Sequence, residues 1–380
     1  MGKRYTLMVS AGEASGDAHA AQALSALHNQ GLEFDSFGMG AGKLAAIGTE
    51  VLVDCRDLAV IGIVDVLLNY PKFMKRLKLL RQALTRRKPD LLIIVDYPDF
   101  NLKLAETARA TGIPVLFYIS PQIWAWRTGR VKRIGELVSH MAVLFPFEVE
   151  VYQKADIPVT FVGHPLVDDA QSDLTQVAAQ THFGIEQGSQ LLTLLPGSRR
   201  GEIQRNLPVM LTTAHRLLEH IPNCRFLLPL APTLARTDLD SMLDNSLPIT
   251  IAEGQACDAM RAADAVLTAS GTATLETALI GTPMVVMYVI NPINHALMKR
   301  MIRIDDIALV NIVAGKRIVP EFIQQAADPQ AMADALIPLL HDTDTMQRMR
   351  EELAIVKARM GEGGASQRVA KLIVRVLEAP

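Results

Sequence analysis

The sequence has few cysteines, almost no net charge and no long hydrophobic run. Its three cysteines, Cys55, Cys224 and Cys257, are widely separated and odd in number, which argues against a disulfide framework or a metal site and suits a reducing cytosol. A net charge of −2 gives no overall field that would attract nucleic acid. The longest uncharged run, 277–298, is interrupted by Gly-Thr-Pro and Asn-Pro, so it predicts a buried strand with loops. The first residues show no apolar signal stretch, and we expect a soluble protein without nucleic-acid partners.

Signatures of common cofactor and metal sites are missing as well. The loop after the first predicted strand is not Gly-x-Gly-x-x-Gly, which disfavours a nicotinamide dehydrogenase. The histidines are scattered and none forms a His-x-x-x-His pair. The sequence therefore predicts neither a bound metal nor a cofactor.

Short apolar runs alternate with helix-periodic segments along most of the 380 residues. Continuous apolar strands separated by helices are typical of parallel sheets that helices cover on both faces, so we expect an α/β protein with two Rossmann-like domains. Ten runs are predicted strands: 5–9, 91–95, 115–119, 141–145, 159–162, 191–195, 225–229, 249–252, 265–268 and 284–288.

The polar stretch 168–190 has no strand pattern and marks a domain junction, while the chain after Asp328 is helical to its end. We expect an N-terminal domain over 1–170, a C-terminal domain over 185–345, and C-terminal helices over 346–380 that pack back toward the N-terminal domain.

Ligands bind at the carboxyl ends of the strands of open parallel sheets, so the loops after strands are candidate sites. The first loop, Gly12-Glu-Ala-Ser-Gly-Asp17, has small residues that admit a ligand close to the backbone and opens a helix. An ordinary strand–helix turn capped by Ser15 or Asp17 is the alternative. The second loop begins with Asp96, the candidate general base, for which an ordinary carboxylate pKa would serve. We expect Asp99, in the same loop, to cap the following helix.

Both tryptophans of the chain, Trp124 and Trp126, lie beside Arg127 in the loop after the third predicted strand of this half. Aromatic faces next to a guanidinium suit sugar stacking and phosphate contact, although core packing beneath a loop would also explain them. His164 follows a strand near the domain junction, where a structural role is at least as well supported as a ligand contact.

The second half has two loops suited to a nucleoside diphosphate. Glycine and serine N–H groups with an arginine favour a diphosphate cradle, and a carboxylate one turn into a helix can chelate ribose hydroxyls. Two capped helix starts are the alternative. The candidate donor-binding residues are Gly197, Ser198, Arg199, Ser270, Gly271, Thr272 and Glu276.

One segment mixes large apolar residues with five cations between Tyr70 and Arg81. This pattern suits a helix lying on an anionic bilayer or contacting acyl chains, and an ordinary amphipathic helix that packs on the sheet is the alternative. The candidate membrane or acyl contacts are Val60, Ile61, Ile63, Val64, Val66, Leu67, Leu68 and Phe73.

Taken in order, these motifs resemble the lipid-A-disaccharide synthase family of Gram-negative bacteria. The resemblance runs through most of the chain, and its Trp-Ala-Trp-Arg segment is the most specific part. The matching segments are 12–17, 58–64, 96–101, 120–127, 145–148, 163–164, 195–199, 270–272 and 311–315. Two mild departures, at Arg200-Gly-Glu202 and at Val310, touch no proposed catalytic atom.

The resemblance implies a GT-B fold, two Rossmann-like domains with a cleft between them, and an inverting, metal-independent glycosyltransferase. UDP-2,3-diacylglucosamine would donate its sugar to 2,3-diacylglucosamine 1-phosphate, giving the β(1→6) tetraacyl disaccharide 1-phosphate and UDP. Asp96 matches the family's catalytic aspartate, and Asn311 is the second implied active-site residue. Gly12, Glu13 and Ser15 would face the acceptor, with the Trp-Ala-Trp-Arg loop.

This family implies location at the cytoplasmic face of the inner membrane, held peripherally at its anionic surface, and a homo-oligomer is compatible with the sequence. Three alternatives remain: another GT-B transferase of UDP-sugars, a UDP-sugar epimerase, and a non-catalytic protein that binds a UDP-sugar or a lipid. The last would keep the phosphate cradle but would have no need of Asp96.

Overall fold

The computed structural model describes residues 3–58, 63–121, 130–243, 246–290 and 306–379. The chain forms two compact units, one made of Met1–Pro165 with Glu362–Pro380 and the other of Leu166–Gly361. The chain thus leaves the first unit after Pro165 and returns to it at Glu362 for its last helix. Within the described part of the chain, no helix is both long and apolar enough to cross a membrane.

The first unit is built on a seven-stranded parallel sheet with strand order β3-β2-β1-β4-β5-β6-β7. The central strand β4 is buried at every position, as expected for a strand that helices cover on both faces. The strands are β1 (Tyr5–Ala11), β2 (Phe34–Gly40), β3 (Glu50–Asp54), β4 (Leu91–Val95), β5 (Val115–Tyr118), β6 (His140–Val143) and β7 (Val159–Phe161).

Within the described residues of this unit, seven helices pack around the sheet. The first and the last of them pack against each other, so the end of the chain completes one layer of this unit. The helices are α1 (Ala14–Asn29), α2 (Gly42–Ala46), α3 (Ile63–Arg87), α4 (Pro98–Ala110), α5 (Arg130–Leu137), α6 (Pro146–Gln153) and, from the end of the chain, α15 (Ala365–Glu378). A 3₁₀ turn spans Cys55–Leu58.

The second unit has a six-stranded parallel sheet with strand order β10-β9-β8-β11-β12-β13. Its strands are β8 (Gln190–Leu195), β9 (Cys224–Leu230), β10 (Ile249–Glu253), β11 (Ala265–Ala269), β12 (Met284–Tyr288) and β13 (Glu321–Ile323). Its helices are α7 (Leu166–Asp169), α8 (Gln176–His182), α9 (Arg200–His220), α10 (Ala256–Ala262), α11 (Thr272–Ile280), α12 (Leu309–Ala314), α13 (Pro329–His341) and α14 (Thr343–Arg359).

All ten predicted strands are present, and their ends differ from the predicted ones by at most two residues. Three further strands, β2, β3 and β13, were not predicted. The strand β2 has the sequence Phe-Asp-Ser-Phe-Gly-Met-Gly, in which polar and glycine residues interrupt the apolar run that would have predicted a strand. Gly38 is required there because a Cβ would lie 1.9 Å from the carbonyl oxygen of Val9 on the neighbouring strand.

Each sheet has one point at which the strand order reverses. In the first unit β1 lies between β2 and β4, and in the second β8 lies between β9 and β11. The connections that follow these strands diverge to opposite faces of the sheet and leave a crevice at its carboxyl edge. The loops after β1 and β4, and those after β8 and β11, are therefore the positions to examine for function.

Candidate functional site

At the switch point of the first sheet, the loop after β1 and the loop after β4 are in contact. The backbone N–H of Gly12 donates a hydrogen bond to Oδ1 of Asp96 at 3.1 Å. Gly16, in the first turn of α1, faces the same carboxylate, because a Cβ at this position would lie 2.2 Å from Oδ2. The glycines of this motif thus let a carboxylate lie directly against the backbone where α1 begins.

The backbone at Asp96 is strained. Asp96 and Tyr97 both have positive φ, +49° and +42°, a region that costs roughly 1–3 kcal/mol at each residue without special support. Asn101 provides that support from the first turns of α4. Its buried amide donates to the carbonyls of Val95 at 3.0 Å and Asp96 at 2.9 Å, and accepts from the Ser10 hydroxyl at 2.6 Å. Asn101 therefore fixes the turn that presents Asp96, a role that the sequence did not reveal.

Burial raises the pKa of the Asp96 carboxyl to about 8. The nearby charge of Glu13 raises it further, and the hydrogen bond from Gly12 acts in the opposite direction. An ordinary carboxylate pKa would also serve a base, but burial moves the pKa of this carboxyl upward from it. A carboxyl with this pKa exchanges its proton near neutral pH, which is the range in which a general base or acid works best.

Other residues of these two loops have separate positions. Asp17 accepts N–H hydrogen bonds from Ala41 at 2.6 Å and Lys43 at 2.9 Å, so it caps α2 and not its own helix. The side chains of Glu13 and Ser15 are exposed at the start of α1. The prediction that Asp99 caps α4 is wrong, because Tyr97 occupies the N-cap position. Asp99 lies in the first turn, where a carboxylate interacts favourably with the helix dipole.

His164 is buried, with its ring centroid 5.2 Å from that of Phe145. Burial, with a smaller contribution from His19, lowers the pKa of His164 to about 3. The imidazole is therefore neutral at physiological pH, which fits packing better than charge chemistry.

Several predicted contacts fall outside the described residues. Among the acceptor candidates these are Trp124, Trp126 and Arg127; among the membrane candidates they are Val60 and Ile61, together with the side chains of Ile63, Val64, Val66, Leu67 and Leu68. The remaining membrane candidate, Phe73, is half-buried, and its ring meets that of Phe100 edge-on at 5.0 Å.

The switch point of the second sheet opens into a pocket of about 600 Å³. Loops that follow β8, β9, β10 and β11 line it, together with Tyr288 at the end of β12. All seven predicted donor-binding residues line this one pocket: Gly197, Ser198, Arg199, Ser270, Gly271, Thr272 and Glu276. The helices α9 and α11 both begin at its edge, so their free N–H groups add a partial positive charge that suits an anion.

The loop after β8 has a defined conformation that requires glycine. Gly197 has φ of +120°, and a Cβ there would lie 2.6 Å from Oε2 of Glu202. Ser198 donates its backbone N–H to that oxygen at 3.2 Å, and Arg199 donates from Nη1 to Oε1 at 3.2 Å. The Arg199 side chain is 63% exposed, so its guanidinium faces solvent beside the pocket.

Two residues outside the predicted site hold this loop from behind. Asn206 is buried in α9, donates its amide to the Pro196 carbonyl at 2.9 Å, and accepts the Val289 N–H at 3.0 Å. Thr233 donates its hydroxyl to the Ser198 carbonyl at 2.6 Å. An asparagine on the buried face of an amphipathic helix was the one sequence signal that could have identified this support.

On the other side of the pocket, Ser270 and Glu276 flank the start of α11. The Ser270 hydroxyl donates to the Ile307 carbonyl at 3.3 Å, which connects the pocket edge to the segment before α12. Glu276 is partly buried, and burial followed by the charge of Asp169 raises the pKa of its carboxyl. Glu276 nevertheless keeps carboxyl oxygens at the pocket edge, which can accept hydrogen bonds from ligand hydroxyls.

Asn311 is buried in α12 and does not line the pocket. Its amide donates to the Val319 carbonyl at 3.0 Å and to Oε1 of Glu321 at 2.7 Å, and its carbonyl accepts the N–H groups of Ile318 and Val319 at 2.8 and 3.1 Å. These four bonds use both amide hydrogens and both lone pairs within the protein.

In the described ranges no group of three or more His, Cys, Asp or Glu side chains is arranged to hold a metal ion. Two Asp-x-Asp sequences occur, at 238–240 and 342–344. Their first aspartates have other roles: Asp238 pairs with Arg200 at 3.1 Å, and Asp342 caps α14 by accepting the N–H of Asp344.

Comparison with known proteins identifies the family. The model of the lipid-A-disaccharide synthetase family matches residues 7–374. The lipid-A-disaccharide synthase of Trichlorobacter lovleyi is 44% identical over 379 residues, covering 100% of this chain and 99% of that protein. The synthase of Geobacter sulfurreducens is 45% identical over 378 residues, with coverage of 98% and 97%.

Solved structures share the fold at low identity. The calicheamicin glycosyltransferase CalG4 superposes with a TM-score of 0.63 at 14% identity, with complete coverage of both chains. The UDP-GlcNAc 2-epimerase of Neisseria meningitidis, solved with UDP-GlcNAc bound, has a TM-score of 0.61 at 14% identity and 99% coverage of each chain. These neighbours, with the two doubly wound parallel sheets, confirm the GT-B fold class. The chain therefore belongs to the lipid-A-disaccharide synthase family, and it is a glycosyltransferase of lipid A biosynthesis.

Proposed function

We propose that this enzyme transfers 2,3-diacylglucosamine from its UDP derivative to 2,3-diacylglucosamine 1-phosphate. The products are the β(1→6) tetraacyl disaccharide 1-phosphate and UDP. The observation that carries this proposal is that all seven donor candidates, drawn from two separate loops, line one pocket with two helix N-termini at its edge. The family resemblance supplies the identity of the sugars.

The reaction inverts the anomeric carbon in a single displacement. The acceptor 6-hydroxyl oxygen forms a bond to C1 of the donor sugar while the bond from C1 to the UDP oxygen breaks. The hydroxyl proton passes to a carboxylate oxygen of Asp96, and the electron pair leaves with the diphosphate. Burial, the strained turn and the Asn101 support favour Asp96 as this base.

The negative charge on the leaving diphosphate is stabilised by Arg199 and by the N-terminus of α11 at Ser270-Gly-Thr272, while Glu276 binds the ribose hydroxyls. A guanidinium and a helix dipole supply positive charge in fixed positions, which can replace a divalent cation in this role. We therefore expect activity to survive EDTA.

Gly12, Glu13 and Ser15 are proposed to face the acceptor, because Gly12 donates its N–H to the Asp96 carboxylate and the exposed Glu13 and Ser15 follow it at the start of α1. Trp124, Trp126 and Arg127 keep their proposed role in sugar and phosphate contact. Asn311 remains a proposed active-site residue. Because its amide is used in four internal hydrogen bonds, we propose that Asn311 acts indirectly. It would hold in place the segment before α12, which accepts a hydrogen bond from Ser270.

The enzyme is proposed to sit peripherally on the anionic cytoplasmic face of the inner membrane through α3. Tyr70, Met74 and Leu79 are exposed on this helix at 50%, 37% and 37%. An apolar groove of about 580 Å³ lies along it, rimmed by Lys75, Lys78 and Arg81. Each cation near an anionic surface contributes about 1 kcal/mol, and apolar contact adds a part that resists salt.

Vesicle co-sedimentation of the wild type and of a Val66→Ser, Leu67→Ser, Leu68→Ser variant tests this association, with neutral vesicles as control. We expect weaker binding of the variant at high salt. Equal binding of both proteins, or no binding of either, would make the segment part of the core.

The reaction is tested by measuring UDP release with and without 2,3-diacylglucosamine 1-phosphate, in the presence of EDTA, followed by NMR of the new glycosidic bond. We expect release only with acceptor and a β linkage. Release without acceptor would indicate hydrolysis or epimerase chemistry instead, and an α linkage would contradict the single displacement.

A further inference from the structure

The anion-binding groups of the loop after β8 already hold an anion in this structure, and it is a side chain of the same helix. The carboxylate of Glu202 accepts the Ser198 N–H on one oxygen and the Arg199 guanidinium on the other, both at 3.2 Å. These are the donors that the proposed function assigns to the diphosphate. The Glu202 side chain is only 17% exposed, so its carboxylate lies inside the loop and lines the pocket.

Other contacts besides this carboxylate hold the shape of the loop. Asn206 fixes the Pro196 carbonyl and Thr233 fixes the Ser198 carbonyl from outside the pocket. Gly197 supplies the backbone conformation at φ of +120°. The Glu202 bonds are thus directed at the N–H and guanidinium donors alone, the groups that would otherwise bind an external anion.

We propose that Glu202 is an internal competitor for the donor diphosphate: its carboxylate satisfies the Ser198 N–H and Arg199 while the pocket is empty and is displaced when a nucleoside diphosphate binds. This inference rests on the proposed donor site. A carboxylate and a diphosphate repel each other, so the competition weakens binding of donor and UDP alike and speeds release of UDP after transfer.

The charge of Glu202 can be removed without removing its acceptor oxygen. In Glu202→Gln the amide oxygen still accepts the Ser198 N–H, so the helix start stays capped while the carboxylate charge is lost. The experiment is calorimetric titration of UDP and of uridine into the wild type, Glu202→Gln, Arg199→Ala and the double variant. Thermal unfolding of each protein without ligand reports the state of the cap.

We expect Glu202→Gln to bind UDP at least about threefold more tightly than the wild type, the scale of one partly exposed charge interaction. Its affinity for uridine stays unchanged, because uridine has no phosphate. In the Arg199→Ala background we expect a smaller gain in UDP affinity from Glu202→Gln, because the carboxylate and the phosphate no longer compete for the guanidinium.

Unchanged or weaker UDP binding by Glu202→Gln, with an unchanged Tm, would overturn the competitor role and leave the donor site standing if Arg199→Ala still weakens UDP. Equal gains for UDP and uridine would also overturn it. If the wild type does not bind UDP, or Arg199→Ala binds UDP as the wild type does, the proposed donor site fails and this inference fails with it.

Discussion

The two sheets have the same doubly wound arrangement, but the loops at their switch points carry opposite chemistry. In the first unit the loop after β4 presents a buried carboxylate, Asp96, whose burial raises its pKa to about 8. In the second unit the loop after β8 presents a guanidinium, Arg199, that is 63% exposed. We propose that the first site exchanges a proton and that the second binds an anion.

The difference follows from what each task requires. A base works best when its pKa is near the working pH, and burial is one means by which the pKa of a carboxyl reaches that range. A diphosphate site must admit and release a highly charged ligand, so its donors stay near solvent. Each loop is nevertheless fixed by a buried asparagine from the following helix, Asn101 in α4 and Asn206 in α9. Architecture is shared, and burial of the charged group decides the chemistry.

The largest expected effect comes from removing the base. We expect Asp96→Asn to lower turnover by at least about a hundredfold, the usual scale for a general base, because the amide cannot accept the hydroxyl proton. UDP affinity should not change, since the donor pocket belongs to the other unit. Steady-state kinetics measures the turnover, and calorimetric titration measures the UDP affinity. Wild-type turnover in the purified variant would contradict Asp96 as the base.

Arg199→Ala tests the second site. We expect a rise in donor KM of about tenfold, because a charge-assisted contact to the diphosphate is lost, with the value reduced by solvent exposure of the side chain. Arg199→Lys keeps the charge but not the forked geometry, so its donor KM should lie between those of the wild type and Arg199→Ala. Donor KM and kcat equal to those of the wild type would count against the cradle.

The two asparagines sharpen the comparison. Asn101→Leu frees the strained turn at Asp96 and should lower kcat, whereas Asn206→Leu loosens the loop after β8 and should mainly raise donor KM. Each leaves buried backbone groups without a partner, at about 1–3 kcal/mol of unfolding free energy. Urea denaturation and kinetics of both variants separate the effects; the same kinetic change in both would show that the two supports are not specific.

The smallest effect is expected at Asp99, three residues from Asp96. Asp99 lies in the first turn of α4 and is not its N-cap, so Asp99→Asn should cost about 0.3–1 kcal/mol of stability and change turnover less than about twofold. It is a matched control for Asp96→Asn, identical in chemistry and close in the chain. A large loss of turnover in Asp99→Asn would move the base to that residue.

Residue types at strand ends predicted much of the molecule. Apolar runs predicted ten strands, because a strand that helices cover on both faces consists mainly of apolar residues. They missed three strands: β2, where glycine and polar residues admit close packing with β1; β3, which begins and ends with an acidic residue; and β13, which has three residues. The donor candidates could be predicted because they lie in loops directly after strands or at the start of the helix that follows, and parallel strands bring such segments to one edge.

Properties that depend on surroundings could not be predicted. The pKa of Asp96 is set by its burial and by Glu13, which no spacing in the sequence encodes. The supports by Asn101, Thr233 and Asn206 are contacts of side chains with backbone groups elsewhere in the fold. The pairing of Glu202 with Arg199 has an ordinary i,i+3 spacing. Only the structure shows that both residues line the pocket, where this pair could compete with a ligand.

The most direct test of the account is the pH dependence of single-turnover transfer. As the proposed base, Asp96 would act in its deprotonated form. Burial raises its pKa to about 8, so the active fraction should grow as pH rises through that value. The rate should increase about tenfold per pH unit below 8 and level off above it, with the midpoint lowered in Glu13→Gln because a like charge is removed. A rate that is flat from pH 6 to 9, or that falls as pH rises, would contradict Asp96 as the buried base.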